Sequence, residues 1–174
     1  MNKRLHRHRK ADGFSLIELL FSISILAILL GLGIPSFQGL IERNRVTSAT
    51  NELITTLQLA RSTAIRRNEV VSICPLVDAN TCGGSWSSGW MVFIGEASVT
   101  EPSNASIIRQ NSALAPSVTL TSNLDAGAAI SYGNAGQIVS GGSVDFTFSG
   151  DSEFRCLTVP LSGKTSFSYE LCQP

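Results

Sequence analysis

Three hydrophobic patterns follow one another along the chain. The first is a nearly unbroken apolar run from Phe14 to Ile34, 21 residues with Glu18 as the only charge. As a helix it would span roughly 30 Å, the thickness of a bilayer's hydrocarbon core. In the second, Val46, Ala49, Leu53, Leu57, Ala60 and Ala64 recur every three or four residues. They form the apolar stripe of an amphipathic helix, whose other faces carry Glu42, Arg43, Arg45, Asn51, Glu52, Gln58, Arg61 and Arg66. Pro35 lies between the two patterns, just after Gly31 and Gly33. A proline there predicts a kink, and the glycines weaken the helix further. The expectation is one helix from about Phe14 to Arg67, its second half packed on a sheet.

In the third pattern, from Val70 onward, the helical period gives way to short runs of strand character. These are Val70–Ile73, Trp90–Ile94, Ile107–Ile108, Val118–Leu120, Ala129–Tyr132 and Gln137–Val139, separated by Gly, Asn, Ser and Pro. Val144, Phe146 and Phe148 alternate with Asp145 and Thr147, a period of two. Cys156–Val159 and Ser166–Tyr169 read as a closing hairpin that turns near Ser162 and Gly163. One long helix followed by many short strands predicts an α+β fold, with the helix on antiparallel sheet. Trp86 and Trp90 read as an apolar plug under the loop between Cys74 and Cys82.

Charge then sharpens the organisation. The sequence has 13 basic and 13 acidic residues, yet Lys3, Arg4, Arg7, Arg9 and Lys10 crowd before the apolar run, with Asp12 as the lone acid there. That bias keeps the first residues in the cytoplasm and sends the C-terminal part outward. Beyond Asn68 there are three bases, Arg109, Arg155 and Lys164, against nine acids. An outer part of net −6 repels nucleic acid at long range. Its four cysteines, Cys74, Cys82, Cys156 and Cys172, would sit in an oxidising compartment. Four cysteines allow three pairings; Cys74–Cys82 and Cys156–Cys172 are favoured because each joins near neighbours in sequence. Zinc is the rival, but the spacings fit no ligand motif and no histidine lies nearby, so no metal is expected.

The junction before the apolar run is the most specific feature. It reads Lys10-Ala11-Asp12-Gly13-Phe14-Ser15-Leu16-Ile17-Glu18. A carboxylate costs about 2.5–3.5 kcal/mol toward a bilayer centre and less near its surface, so a plain anchor leaves Glu18 unexplained. A cleaved secretory signal would be shorter and would leave through an Ala-x-Ala-like exit, whereas this run leaves through Gly31-Leu32-Gly33-Ile34-Pro35-Ser36. The pattern resembles the class III signal of type IV prepilins and pseudopilins. That resemblance implies a leader over residues 1–13, cleavage between Gly13 and Phe14 by a prepilin peptidase, and N-methylation of Phe14. It also implies that Glu18 sets register in assembly by pairing with a neighbour's N-terminal amine, since opposite charges brought together in an apolar core relieve each other's burial cost. The corresponding segments are a transmembrane and filament-core helix over 14–34, an amphipathic half over 35–67, and a β-rich periplasmic head over 68–174.

Later landmarks resemble the GspH/FimT group of minor pilins and pseudopilins. They are Leu57-Gln58-Leu59-Ala60-Arg61-Ser62-Thr63-Ala64, the Trp86-x-x-Gly89-Trp90-x-Val92-Phe93 motif, and the closing Arg155-Cys156-Leu157-Thr158-Val159-Pro160-Leu161-Ser162-Gly163-Lys164. The resemblance implies the type IV pilin fold and a structural minor pilin that primes or caps a type IV pilus. A minor pseudopilin of a type II secretion system is the alternative, and a DNA-binding minor pilin for transformation a second. Implied partners are other minor pilins, the major pilin, a prepilin peptidase, an inner-membrane assembly platform and membrane lipid. Implied location is single-pass in the inner membrane with a periplasmic head, then the pilus, near its tip. Some members of the group bind DNA through a C-terminal Gly-Arg-x-Arg turn. Here that turn reads Gly163-Lys164-Thr165-Ser166, so Lys164 alone remains as a weak candidate contact and nucleic acid is disfavoured as a partner.

Enzyme chemistry finds little support. Both histidines, His6 and His8, lie in the leader, which removes imidazole acid–base chemistry from the mature chain. No Gly-x-Ser-x-Gly occurs, and Gly83-Gly84 and Gly141-Gly142 read as turns. No catalytic residue and no cofactor is expected.

Overall fold

The structure, a computed structural model, describes residues 14–140, 142–151 and 153–172, without the side chains of 32–36. It divides into two units, Met1–Gln38 and Gly39–Pro174.

Helix α1 spans Leu16–Arg67. It begins two residues after the expected start, with Ser15 as the carbonyl acceptor for the Leu19 N–H at 3.1 Å. The helical backbone passes through position 35 without ending; the side chains of 32–36, and with them the kink expected at Pro35, lie outside the described residues. At its far end Asn68 takes a left-handed conformation (φ 56°), which asparagine tolerates better than most residues. The Glu69 N–H then reaches back to the Ala64 carbonyl at 3.3 Å, so the helix stops in a Schellman cap.

The strands are β1 (Val71–Pro75), β2 (Trp90–Ile94), β3 (Ile107–Asn111), β4 (Thr119–Ser122), β5 (Ile130–Tyr132), β6 (Val144–Ser149), β7 (Phe154–Val159) and β8 (Ser166–Ser168). They form two antiparallel sheets, ordered β3-β2-β1-β5 and β4-β6-β7-β8. The run Gln137–Val139 forms no strand. Its tight turn (Gly133 N–H to the Gln137 carbonyl, 2.9 Å) leaves a single bridge, Tyr132 to Ile138, and Ile138 spends its own N–H on the Leu161 carbonyl. The hairpin of β7 and β8 turns at Gly163, whose φ of 74° suits glycine.

The core lies between the amphipathic half of α1 and the sheets. Val46, Ala49, Leu53, Leu57, Ala60 and Ala64 are all buried there, with Val71, Ile73, Trp90, Val92, Val144, Phe146, Phe148, Leu157 and Val159. Strands β1 and β2 are buried on both faces. Val71, Ile73, Trp90 and Val92 point toward the helix, while Cys74, Met91 and Phe93 belong to a second, smaller cluster with Cys82 and Ala129. This corrects the expected plug. Both tryptophans join the helix-facing core, Trp86 edge-on to Phe146 at 4.8 Å, and Met91 and Phe93 pack beside the Cys74–Cys82 bridge instead. The period of two decides it, because Trp90 and Met91 must face opposite ways.

Candidate assembly site

In the first unit, Glu18 occupies the first turn of α1, where the helix's unpaired N–H groups favour a carboxylate. Its surroundings go beyond that ordinary reason. Leu16, Ile17, Leu19, Leu20 and Phe21 around it are exposed, and so are the large apolar residues on to Leu30. Ser22 and Ser24 donate their hydroxyls to the Glu18 and Leu20 carbonyls at 2.7 and 2.8 Å. The helix thus satisfies its own polar groups and presents an apolar surface carrying one carboxylate. The ion pairs among the described residues are Arg43–Glu153 and Arg45–Glu42, so Glu18 takes its cation from none of them. Phe14 stands just before the helix, 74% exposed. Gly13 lies outside the described residues. Among the described residues no helix is long and apolar enough to cross a membrane. The described side chains of the apolar run stop at Gly31, short of its end at Ile34.

In the second unit, the polar faces of α1 are less free than the sequence pattern implied. Arg61 donates Nε to the Gly136 carbonyl at 2.9 Å and Nη2 to the Ser162 carbonyl at 3.2 Å, tying the turn after β5 and the closing hairpin turn to the helix. The fit there is close: a Cβ on Gly163 would lie 2.1 Å from the Gly136 oxygen. Glu52 accepts from the Asn111 side chain at the end of β3, and Thr56 accepts from the Trp90 indole at 3.2 Å. Glu42 is buried against Gly150 and Val46. Sequence periodicity missed these roles because it sorts residues by face and cannot see which loop returns to which face. The signal available for Arg61 was its setting, a long cation among Ala60, Ser62, Thr63 and Ala64.

The structure pairs Cys74 with Cys82 and Cys156 with Cys172, with Cα–Cα distances of 5.5 and 4.9 Å. Asp145 lies beside the second bridge, and the three side chains come near enough together to suggest a metal. The donor set argues against one: both sulfurs are spent in the disulfide, and Asp145 already accepts from Thr158 at 2.6 Å. Tyr132 is buried, its hydroxyl lacks a hydrogen-bond partner among the described residues, and burial pushes its pKa well above the usual phenol value against a smaller opposing pull from Arg61. Asp78 is held below the usual carboxylate range by the Thr81 hydroxyl and the Asn80 N–H, an ordinary turn contact. Lys164 is exposed on the turn after Gly163.

These features, an apolar helix with one lone carboxylate and a disulfide-tied head, match known proteins. The family described as "Type II transport protein GspH" covers residues 49–163, about two thirds of the chain. The chain belongs to the GspH family. The "Prokaryotic N-terminal methylation motif" covers residues 8–34, the basic leader and apolar run. Among solved GspH-like structures, the type IV minor pilin FimU of Pseudomonas aeruginosa strain PAO1 is 25% identical with a TM-score of 0.58, over 73% of this chain and 90% of FimU. The minor pseudopilin EpsH of the Vibrio cholerae Type 2 Secretion System shares the fold at 15% identity and a TM-score of 0.50, over 71% of this chain and 94% of EpsH. Two fimbrial proteins of Pseudomonas aeruginosa are 37% identical over 60 residues, 34% of this chain; that stretch spans 39% of their own length. The GspH fold thus has its long N-terminal helix on antiparallel sheet here, and the family is one of minor pilins and pseudopilins, structural subunits that associate with other pilins.

Proposed function

We propose that this chain is a structural, non-enzymatic minor pilin of a type IV pilus that primes or caps filament assembly. In this reading a prepilin peptidase cuts between Gly13 and Phe14 and Phe14 is then N-methylated. The apolar run holds the subunit as a single pass in the inner membrane, with its head in the periplasm, before it enters the pilus near the tip. Glu18 sets register by pairing with a neighbour's N-terminal amine. Its partners are other minor pilins, the major pilin and the inner-membrane assembly platform. The observation that carries the reading is the likeness to the minor pilin FimU across 90% of that chain. The sequence run of 21 residues with a single charge supports the membrane stage.

A clean deletion tests it. Pili are sheared from the deletion strain and the major subunit quantified; loss of pili restored by complementation is expected. Unchanged pili with failed export of secreted enzymes would shift the assignment to a type II pseudopilin, a reading that the family of type II transport protein GspH supports. Unchanged pili with lost DNA uptake would point to Lys164 and its turn.

A further inference from the structure

The strongest feature that assembly through α1 does not use lies at the outer edge of the second sheet. Three arginines lie along the middle of α1 and on β7, Arg43, Arg45 and Arg155, and among the described residues two of them form ion pairs: Arg43 with Glu153 at 2.6 Å and Arg45 with Glu42 at 3.8 Å. Arg155 is left over. Its Nη2 donates to the Thr47 hydroxyl at 2.9 Å, a neutral acceptor that itself donates to the Arg43 carbonyl. Its Nε is buried and has no acceptor among the described residues. The guanidinium lies under the Tyr169 ring, 4.8 Å from the centroid. A part-buried cation with an unmet donor and no anion among the described residues is a poor end state for a lone subunit, since a charged donor left unsatisfied costs its desolvation in full.

The ground beside it is unfinished too. Strand β8 is the last strand of its sheet, so one backbone edge is unpaired. Phe167 and Tyr169 stack edge to face at 5.8 Å and are 54% and 69% exposed. Aromatic rings around an arginine are the composition of an interface centre rather than of free surface. A partner here must bring an acid to meet Arg155 and apolar groups to cover the rings. A subunit composed like this one has acids to offer, because its own head carries nine against three bases.

We propose that Arg155, with Phe167 and Tyr169, forms a subunit–subunit contact that receives an aspartate or glutamate of a neighbouring pilin-family subunit. The contact rests on the assembly reading above but does not depend on whether the filament is a pilus or a secretion pseudopilus. It fixes how heads meet, where Glu18 would fix how helices meet.

The test uses the full chain in its native host, with a photo-crosslinking benzoyl-phenylalanine at Phe167. The expected adduct joins another pilin-family subunit through a peptide that contains Asp or Glu. Arg155→Met should lower adduct yield about ten-fold or more, and Arg155→Lys should keep part of it, since the charge survives and the two-pronged fork does not. Protein level and non-reducing mobility report folding; if Arg155→Met lowers either, Tyr169→Ser, at an exposed position, takes its place with the same expected loss. Reversing the partner's acid together with Arg155→Glu should restore the adduct. An adduct confined to the chain itself, one indifferent to Arg155→Met and Tyr169→Ser, or none with a pilin-family subunit while the protein is recovered in sheared filaments, would each overturn the contact. An adduct with a pseudopilin in a normally piliated strain would uphold the contact and overturn the pilus assignment.

Discussion

Arg61 shows how one side chain can organise a region. Its two carbonyl acceptors belong to loops 75 and 101 residues away, so one side chain joins helix, β5 turn and closing hairpin at once. Charged hydrogen bonds contribute about 1.5–3 kcal/mol. Arg61→Ala is therefore expected to lower unfolding free energy by about 2 kcal/mol in urea titration of the detergent-solubilised chain, and an unchanged midpoint would remove this role. Tyr132, under the same turn, gives a pH signature. Its phenol stays neutral in the folded state above the usual value of 10.0, while the unfolded chain ionises there. Its contribution is thus fully present below about pH 10 and is lost as pH rises beyond it. Tyr132→Phe should flatten the alkaline limb of stability against pH; a limb of unchanged slope would assign it to other groups.

At the scale of elements, the second half of α1 is held by its apolar stripe and aligned by polar contacts beside it. Leu57 is fully buried, so Leu57→Ala should cost about 2–5 kcal/mol, more than any exposed change on the same helix. The Trp90–Thr56 and Asn111–Glu52 pairs fasten β2 and the end of β3 to that helix and fix their register. The bridge Cys156–Cys172 closes 16 residues that include all of β8. By loop-closure entropy its loss costs about 3 kcal/mol. Cys156→Ser with Cys172→Ser is expected to free the C-terminal segment to protease before the rest of the head, and a cleavage order led by the Cys74–Cys82 loop would contradict that. The unformed strand at Gln137–Val139 teaches the same lesson in reverse: three residues of suitable type make only a single bridge to β5 when Ile138 gives its N–H to the Leu161 carbonyl instead.

For the whole molecule, the two units divide the work. The first is an exposed apolar helix with one carboxylate in its opening turn. The second carries the core, both disulfides and the contact proposed at Arg155. The proposed register role then separates two events that a plain anchor would not. Glu18→Ala should leave membrane insertion intact, since a charge has been removed from an apolar run, yet reduce incorporation into sheared filaments several-fold. Normal incorporation would end the register role.

The linear pattern alone determined the long helix, its buried stripe, most of the strands and the lone glutamate, because each rests on periodicity, run length or composition that neighbouring residues set. It also made the two local cysteine pairings the nearest choice, since each joins residues separated by 8 and 16 positions. Tertiary structure alone decided which polar residues leave solvent. Glu42 meets Gly150, Arg61 meets Gly136 and Ser162, and Arg155 meets Thr47 from more than a hundred residues away. The reason is physical: periodicity assigns a residue to a face, whereas its energy depends on what the fold later lays against that face.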